Sequence, residues 1–406
     1  MPRSRILFLL ILGASVAVIA IIALSNQPVS PELQAQRDAT ATMAARQALL
    51  ASTVKIVVSY GTEKRRWLED ATQRFEAQHP NVDVELLGEG SMESYRALSN
   101  VSDASSTYWR NRPLPILWSP GGRIQVALLN ADQAREFAKD CKDLVLSPLA
   151  FIMWKDRADA FEDFYKDRGG VSFENLEDAL SSPKDGRWSE FGGDPNWGLL
   201  KVGYANPNES NGGFMFLMAL VHAYLDRTEA ATVAELSGPK FAEYARRIAR
   251  AISIEPLNSS GVLMDNMMRQ GPATYDLVII HEALAIENHQ IAIDRHGIPL
   301  RVFYPKYNLF SEHPMCLIDH PSFTPQQREA AKLYQDFLLS REIQELARMY
   351  GYRPAVTDVP IFAGGSPFND PEIRAMGVSN NVGQTLRQPD GNTLKQLLTI
   401  WNRAVN

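Results

Sequence analysis

The run His281-Glu282-Ala283-Leu284-Ala285 opens like a zinc-binding helix, in which two histidines four residues apart hold the metal and the glutamate activates water. Ala285 stands where the second histidine belongs, so the metal lacks a ligand and this chemistry is excluded. Gly88-Glu89-Gly90-Ser91 is neither a nucleophile elbow nor a dinucleotide loop, because Glu93 occupies the place of the later glycine. His289 and His296 have no carboxylate or cysteine at ligand spacing and read as surface histidines. Asp276 and Glu282 flank the apolar run Leu277–Ile280 and could act as paired acids, but nothing identifies a partner or a bond to cleave. A hydrolase lacks its nucleophile–base pair here, and no metal or cofactor is expected.

A second kind of chemistry, reversible binding, has better support. Val54–Phe75 and Leu199–Tyr224 each run from a short apolar strand through a loop with hydroxyl residues and glycine into a helix. The hydroxyls are Ser59 and Thr62 in the first segment and Ser210 in the second. Helix N-termini present unpaired N–H groups and partial positive charge, so such junctions can grip an anion or a polar ligand group. Taken alone, each serine reads more commonly as an ordinary helix N-cap, which needs no ligand. Two such junctions, one in each half of the chain, suggest a cleft.

The elements that must position them alternate. Val54–Val58, Val82–Leu87, Ile116–Trp118, Leu144–Met153, Leu199–Val202, Leu277–Ile280 and Leu300–Phe303 read as strands. Trp67, Leu68, Ala71 and Phe75 share one helix face, Thr324-Pro325-Gln326-Gln327 opens a helix, and a helix from about Arg341 stops at Gly351. This is an α/β pattern with largely parallel sheets, whose ligands sit at strand carboxyl ends. The segment Asp156–Trp197 has no long apolar strand and predicts surface helices.

The chain has 406 residues, 45% of them hydrophobic and 22% charged, with a formal net charge of −6, which fits two or three globular domains. No basic cluster interleaves with aromatics, so nucleic acid is not an expected partner, and Lys64-Arg65-Arg66 reads as a solvated helix face. Arg3 and Arg5 precede the uncharged run Ile6–Leu24, which predicts a transmembrane anchor, or alternatively a signal helix, with the remainder outside the cytoplasm. Residues 25–52, rich in Ala, Thr and Gln, read as a linker. Cys141 and Cys316 follow in a compartment that permits a disulfide, and their pairing is left open.

Several short motifs carry a resemblance. Their order is Val57-Val58-Ser59-Tyr60-Gly61, Gly90-Ser91-Met92-Glu93, Leu117-Trp118-Ser119-Pro120, Leu146-Ser147-Pro148-Leu149, Pro207-Asn208-Glu209-Ser210-Asn211-Gly212, Tyr275-Asp276 with His281-Glu282, Tyr304-Pro305 and Gly351-Tyr352-Arg353-Pro354. Together they resemble the type II periplasmic solute-binding proteins. The branch is that of the bacterial extracellular binders related to molybdate and sulfate binders, some of which occur with von Willebrand factor A modules. The sequence departs from the pattern at His281, where a tyrosine is usual.

The resemblance implies two α/β lobes joined by crossover strands at Leu146–Phe151 and Leu300–Pro305. Lobe 1 is then 53–147 plus 303–406, and lobe 2 is 148–302. It implies ligand contacts from Ser59, Tyr60, Gly61, Ser91, Ser119, Ser147, Ser210, Asn211, Tyr275, Glu282 and Tyr304. The expected function is capture of a small solute, an oxyanion in the first instance, for an ABC-type importer. Glu89, Asp276 and Glu282 near the same strand ends would repel an oxyanion, which keeps an amine-bearing or sugar-like ligand open. The alternative function is a membrane-anchored sensor or assembly module, with a von Willebrand factor A-type partner in place of a permease.

Overall fold

The computed structural model describes residues 53–101, 108, 112–250, 256–389 and 391–405. The expected anchor at 6–24 and linker at 25–52 lie outside them. No helix among the described residues is long and apolar enough to cross a membrane. Val54–Asn406 forms one compact unit.

Strand β1 (Val54–Gly61) shows why the first sheet forms. Ile56, Val58 and Tyr60 alternate onto one face, where they join a buried cluster with Trp67, Leu68, Phe75, Tyr334 and Ala347. The helix Arg65–Gln78 buries the stripe Trp67, Leu68, Ala71 and Phe75 against it, as the periodicity predicts. Phe75 meets Tyr334 edge to face with centroids 5.0 Å apart, and Thr72 Oγ1 shares a 2.7 Å hydrogen bond with the Tyr334 hydroxyl. The helix Pro325–Leu338 that carries Tyr334 opens with the expected capping box between Thr324 and Gln327. Gly351 follows the helix Arg341–Met349 at φ 79°, the left-handed turn that ends it.

β1 pairs in parallel with β2 (Val82–Glu89) and β3 (Leu117–Ser119). Two further strands complete this sheet, β4 (Ala138–Asp143) and β11 (Pro314–Ile318), in the order β2-β1-β3-β11-β4. β11 is antiparallel to both β3 and β4, so the sheet is mixed, not largely parallel. Ala138-Lys-Asp-Cys-Lys-Asp has no apolar run to announce a strand, and its partner is far along the chain. Cys141 on β4 and Cys316 on β11 form a disulfide across this pairing.

The second sheet is built on β5 (Val145–Trp154), a fully apolar strand after Ser147, as expected for one covered on both faces. Its neighbours include β7 (Leu277–His281), β8 (Leu300–Phe303) and β10 (Phe310–Ser311), and β6 (Val202–Tyr204) follows beyond β7. A two-residue strand, β9 (Tyr307–Asn308), lies between β8 and β10 in the chain. β7 runs antiparallel to β5 and parallel to β6. The helix Asn211–Leu225 is apolar on all sides and buried. Phe161, Phe173, Leu176 and Trp188 join its core, so the segment expected to carry surface helices contributes half-buried ones.

The chain passes between sheets at Asp143–Val145, where β4 gives way to β5, and again between β10, which still pairs with β5 at Phe310–Ser311, and β11 at Pro314. The second passage falls a few residues later than the expected Leu300–Pro305, because Leu300–Phe303 is still paired to β5. β12 (Arg353–Pro354) returns to pair with β5 at Leu146 and Val145. After it most of the chain packs on the second sheet's side, although Gln384–Thr385 pairs with β9 and Lys395 reaches Asp132 of the first lobe. Phe368, Ile373 and Met376 pack with Ile152 and Val302, and Leu394, Leu397 and Trp401 pack with the cluster of Tyr204 and Phe216. The tail assigned by sequence to lobe 1 therefore packs mainly against lobe 2, and an apolar helix records no address for its partner.

Candidate functional site

The two sheets turn their strand carboxyl ends toward a common seam, and each end opens a helix. β1 leads through the turn Thr62–Lys64 into the helix at Arg65, β2 into that at Ser91, and β3 through Gly121-Gly122 into that at Arg123. On the other side β6 leads to the helix capped by Ser210, and β7 to the helix capped by His281. The helix Ser260–Gln270, capped by Ser259, joins them. Converging helix N-termini make the seam favourable to anionic and acceptor groups.

Direct bonds hold the seam together. The Met92 N–H donates to Glu209 O at 2.9 Å, Arg96 donates to Asn208 O, and Gln125 Nε2 donates to Asn211 Oδ1 at 3.0 Å. Asn211 Nδ2 donates to Ser311 Oγ at 3.0 Å, and Ser311 Oγ donates to Gly121 O. Gly121 permits this approach, since a side chain there would begin 2.4 Å from Asn211 Nδ2.

At the centre lies a fully buried ionic cluster. Lys64, 0% exposed, donates to Ser119 O at 2.9 Å and lies 3.1 Å from Glu63 Oε1. Glu63 Oε1 is also 3.1 Å from His313 Nδ1, and the Tyr352 hydroxyl donates to Glu63 O at 2.8 Å. His313 Nδ1 can donate to Glu63 or accept from Lys64 at 3.4 Å, but not both in one tautomer. His281 reaches in from the second sheet, its ring centroid 5.6 Å from that of His313. His313 stands at φ 45°, a backbone conformation that a non-glycine residue adopts at an energetic cost.

Burial decides the charges. It pushes His281 down to about 4 and His313 down to about 3, outweighing the attraction of Glu63, so both imidazoles are neutral near pH 7. Burial alone would raise the Glu63 carboxyl, but Lys64 and His313 together hold it well below the ordinary value. Burial likewise lowers the Lys64 ammonium, against the pull of Glu63. Thr62 Oγ1, Ser119 Oγ, both ring nitrogens of His281 and His313 Nε2 are buried without hydrogen-bond partners among the described residues. Such groups are rare and costly unless a function uses them.

The expected ligand residues divide. Ser91, Ser119, Ser210 and Asn211 lie at the seam: Ser91 Oγ accepts from Gly121 N at 2.9 Å, and Ser210 Oγ meets Ser260 Oγ at 3.3 Å. Ser210 caps its helix by position but makes no side-chain cap bond. Gly61 ends β1 where a side chain would meet the Glu63 carboxylate at 2.4 Å. Ser147 sits on the crossing strand, its Oγ accepting from Ala283 N at 3.1 Å.

The remaining residues are engaged elsewhere. Ser59 Oγ donates to Glu89 at 2.9 Å within the first sheet, and Tyr60 belongs to that sheet's apolar core. Glu282 makes a buried two-pronged pair with Arg353, at 2.9 and 2.8 Å, and accepts from the Tyr304 hydroxyl. This trio fastens β7 to the returning strand β12. Tyr275 lies ahead of the amino end of β7, opposite His281, in an apolar cluster with Met264, Met267 and Met268.

The carboxylates expected to repel an oxyanion each have their own donors. Arg112 reaches Glu89 at 2.7 Å. Asp276 is bonded by Trp188 Nε1 at 3.1 Å and by the Lys201 N–H at 2.8 Å, with Arg157 at 3.3 Å. Lys64 is buried at the seam, not on a solvated face. His289 is buried too, and His296 bonds Met268 O at 2.8 Å, so neither is a free surface histidine. Sequence reasoning missed Glu63, Lys64 and His313. The first two directly follow a strand end, which could have marked them, whereas nothing near His313 does.

A cavity of about 140 Å³ opens onto this cluster. Thr62, Glu63, Arg65 and Arg66 line it from the first sheet's side, and Gly261, Asp265, Leu284, Glu287 and Asn288 from the second. Arg66 Nε lies 3.3 Å from Glu287 Oε1, and burial pushes the Glu287 carboxyl up to about 7 against that attraction.

Two α/β lobes, joined by crossing strands and meeting along strand carboxyl ends, define the type II periplasmic binding-protein fold. Residues 56–353 match the family described as bacterial extracellular solute-binding protein, and the chain belongs to it. Members of this family work outside the cytoplasm.

Among solved structures, the chain is similar to the substrate-binding protein of an ABC transporter from Agrobacterium tumefaciens, with 15% identity and a TM-score of 0.57. That match covers 87% of this chain and 95% of that one. It is also similar to the periplasmic binding protein P5PA, at 15% identity and a TM-score of 0.55, covering 87% and 99%. A third is AfuA from Actinobacillus pleuropneumoniae with fructose-6-phosphate bound, at 16% identity and a TM-score of 0.51, covering 87% and 97%. These likenesses concern the fold. No curated protein sequence matches the chain.

Proposed function

We propose that this protein captures a small solute bearing an oxyanionic group between its two lobes and presents it to an ABC-type importer. The observation that carries this reading is the set of unpartnered buried groups, Thr62, Ser119, His281 and His313, gathered where helix N-termini from both sheets converge. Neutral donors aimed at one place bind a fully ionised group without needing a matching cation. Pairing of Glu89, Asp276 and Glu282 with their own donors removes the repulsion that counted against an anion. The apolar run Ile6–Leu24, read as an anchor, would keep the binding unit beside the membrane that holds the importer.

Amide hydrogen exchange on the full chain tests capture. The Met92 N–H, bonded across the seam to Glu209 O, reports on closure. Sulfate, molybdate or a phosphorylated sugar should slow its exchange in a saturable way. Exchange at Met92 that no small solute alters would sink the capture reading.

A further inference from the structure

The cavity at the mouth of the seam is charged on both sides, and its charges are segregated. Arg65 and Arg66 project from the first turn of the helix Arg65–Gln78, which belongs to the first sheet. Asp265 and Glu287 face them from the helices Ser260–Gln270 and Glu282–His296, which belong to the second. The floor is Glu63, whose charge Lys64 already balances.

Two buried oxygens in this cavity make no hydrogen bond. Glu287 Oε1 is buried and has no hydrogen bond, although Arg66 stands 3.3 Å away. Asn288, 3% exposed, spends its Nδ2 on Leu284 O, which leaves its Oδ1 as an acceptor. Thr62 Oγ1 is buried and unpartnered. A ligand that carries N–H donors would satisfy oxygens that the protein itself leaves open.

A simple dianion does not suit these walls. Arg65 and Arg66 are opposed by Asp265 and, once an ammonium lies beside it, by Glu287, so the lining offers a dianion little net positive charge. A solute with an acidic group at one end and an ammonium at the other meets complementary charge on both sides, and does so only when the lobes are together. At roughly 10–15 Å³ for each water-sized group, about 140 Å³ holds roughly ten such groups. Beyond it a groove of about 360 Å³ shares Arg66, Asp265 and Asn288 and adds Arg269 and Arg295 from the second sheet's helices.

We propose that the solute is a small zwitterion, its ammonium seated between Glu287 and Asp265 with Asn288 and Thr62, and its acidic group against Arg65 and Arg66. This rests on capture of a solute between the lobes and departs from that reading in one respect: the acidic group meets Arg65 and Arg66 at the cavity, and Thr62 turns its oxygen to the ammonium.

Calorimetry on the full chain with γ-aminobutyrate and taurine as zwitterions tests it, against propionate and sulfate as anions and propylamine as a cation. Each zwitterion should bind about tenfold or more tighter than the single-charge probes, the signature of two simultaneous charge contacts. Glu287→Gln keeps the shape and should weaken γ-aminobutyrate about tenfold while leaving propionate unchanged. Arg66→Gln should weaken γ-aminobutyrate and propionate together and leave propylamine unchanged.

Three results overturn the proposal: sulfate or propionate binding as tightly as the zwitterions, no binding of either zwitterion, or a Glu287→Gln variant with unaltered affinity for γ-aminobutyrate. The first of these, accompanied by slowed exchange at Met92, leaves capture standing and removes only the zwitterion. Absence of slowed exchange with every solute removes capture itself.

Discussion

Acid should weaken this protein through His281. Its imidazole is wholly buried, and burial holds it at about 4 where an exposed histidine titrates near 6.5. Between those values the unfolded chain binds a proton that the folded chain refuses. The stabilisation is therefore fully present above about 6.5 and is lost as pH falls toward 4. At 1.36 kcal/mol per pH unit the whole effect is about 3 kcal/mol, of which about 2–3 kcal/mol disappears between pH 7 and about 4.5. Glu63, held low, loses its own contribution only below the ordinary carboxylate range, so the upper part of the window belongs to the histidines. His313, held down to about 3, acts with the same sign.

Urea denaturation of the wild type and of His281→Asn across this window isolates the term. The wild type should lose about 2–3 kcal/mol more than the variant between pH 7 and about 4.5. Parallel stability profiles, or a His281 ring that titrates near 6.5 in the folded protein, would refute the claim that the seam excludes water from it.

Ser59→Ala should lower stability by about 1.5–3 kcal/mol, the range for a hydrogen bond to a charged group, and leave solute affinity unchanged, because its hydroxyl serves Glu89. Denaturation and calorimetry on one sample check both halves. Arg353→Met should cost about 3–5 kcal/mol, since it strands the buried Glu282 carboxylate; chemical denaturation reads it, and a near-neutral result would show that water reaches that carboxylate. Replacing Cys141 and Cys316 with alanine should cost about 2–5 kcal/mol, because their bond closes a loop across a sequence separation of 175. If the wild type and the double variant melt together with and without reductant, the bridge does not stabilise the fold.

Whatever is settled within a few residues of chain was legible before the fold was known. Alternation in Val54–Val58, the apolar run of Leu144–Met153, the capping box at Thr324 and the stop at Gly351 are local matters of backbone bonding and periodicity. They gave the α/β class, the strands β5, β7 and β8 of the second sheet and the strand-to-helix junctions that line the seam. The ordered motifs from Ser59 to Pro354 carried the family, and with it four seam residues, Ser91, Ser119, Ser210 and Asn211.

Charge state and pairing came only from the tertiary structure. Lys64 looks like the start of a solvated helix face until β3 and His313, 249 positions away, close over it. Glu282 looks like a ligand residue until Arg353, 71 positions on, takes both its oxygens. The strand Ala138–Asp143 has no apolar run of its own, and β11 supplies the partner that makes it a strand. In each case the deciding quantity is the desolvation of a polar group together with the donor or charge that answers it. Both are properties of residues brought together by the fold, and no local pattern in the chain encodes them.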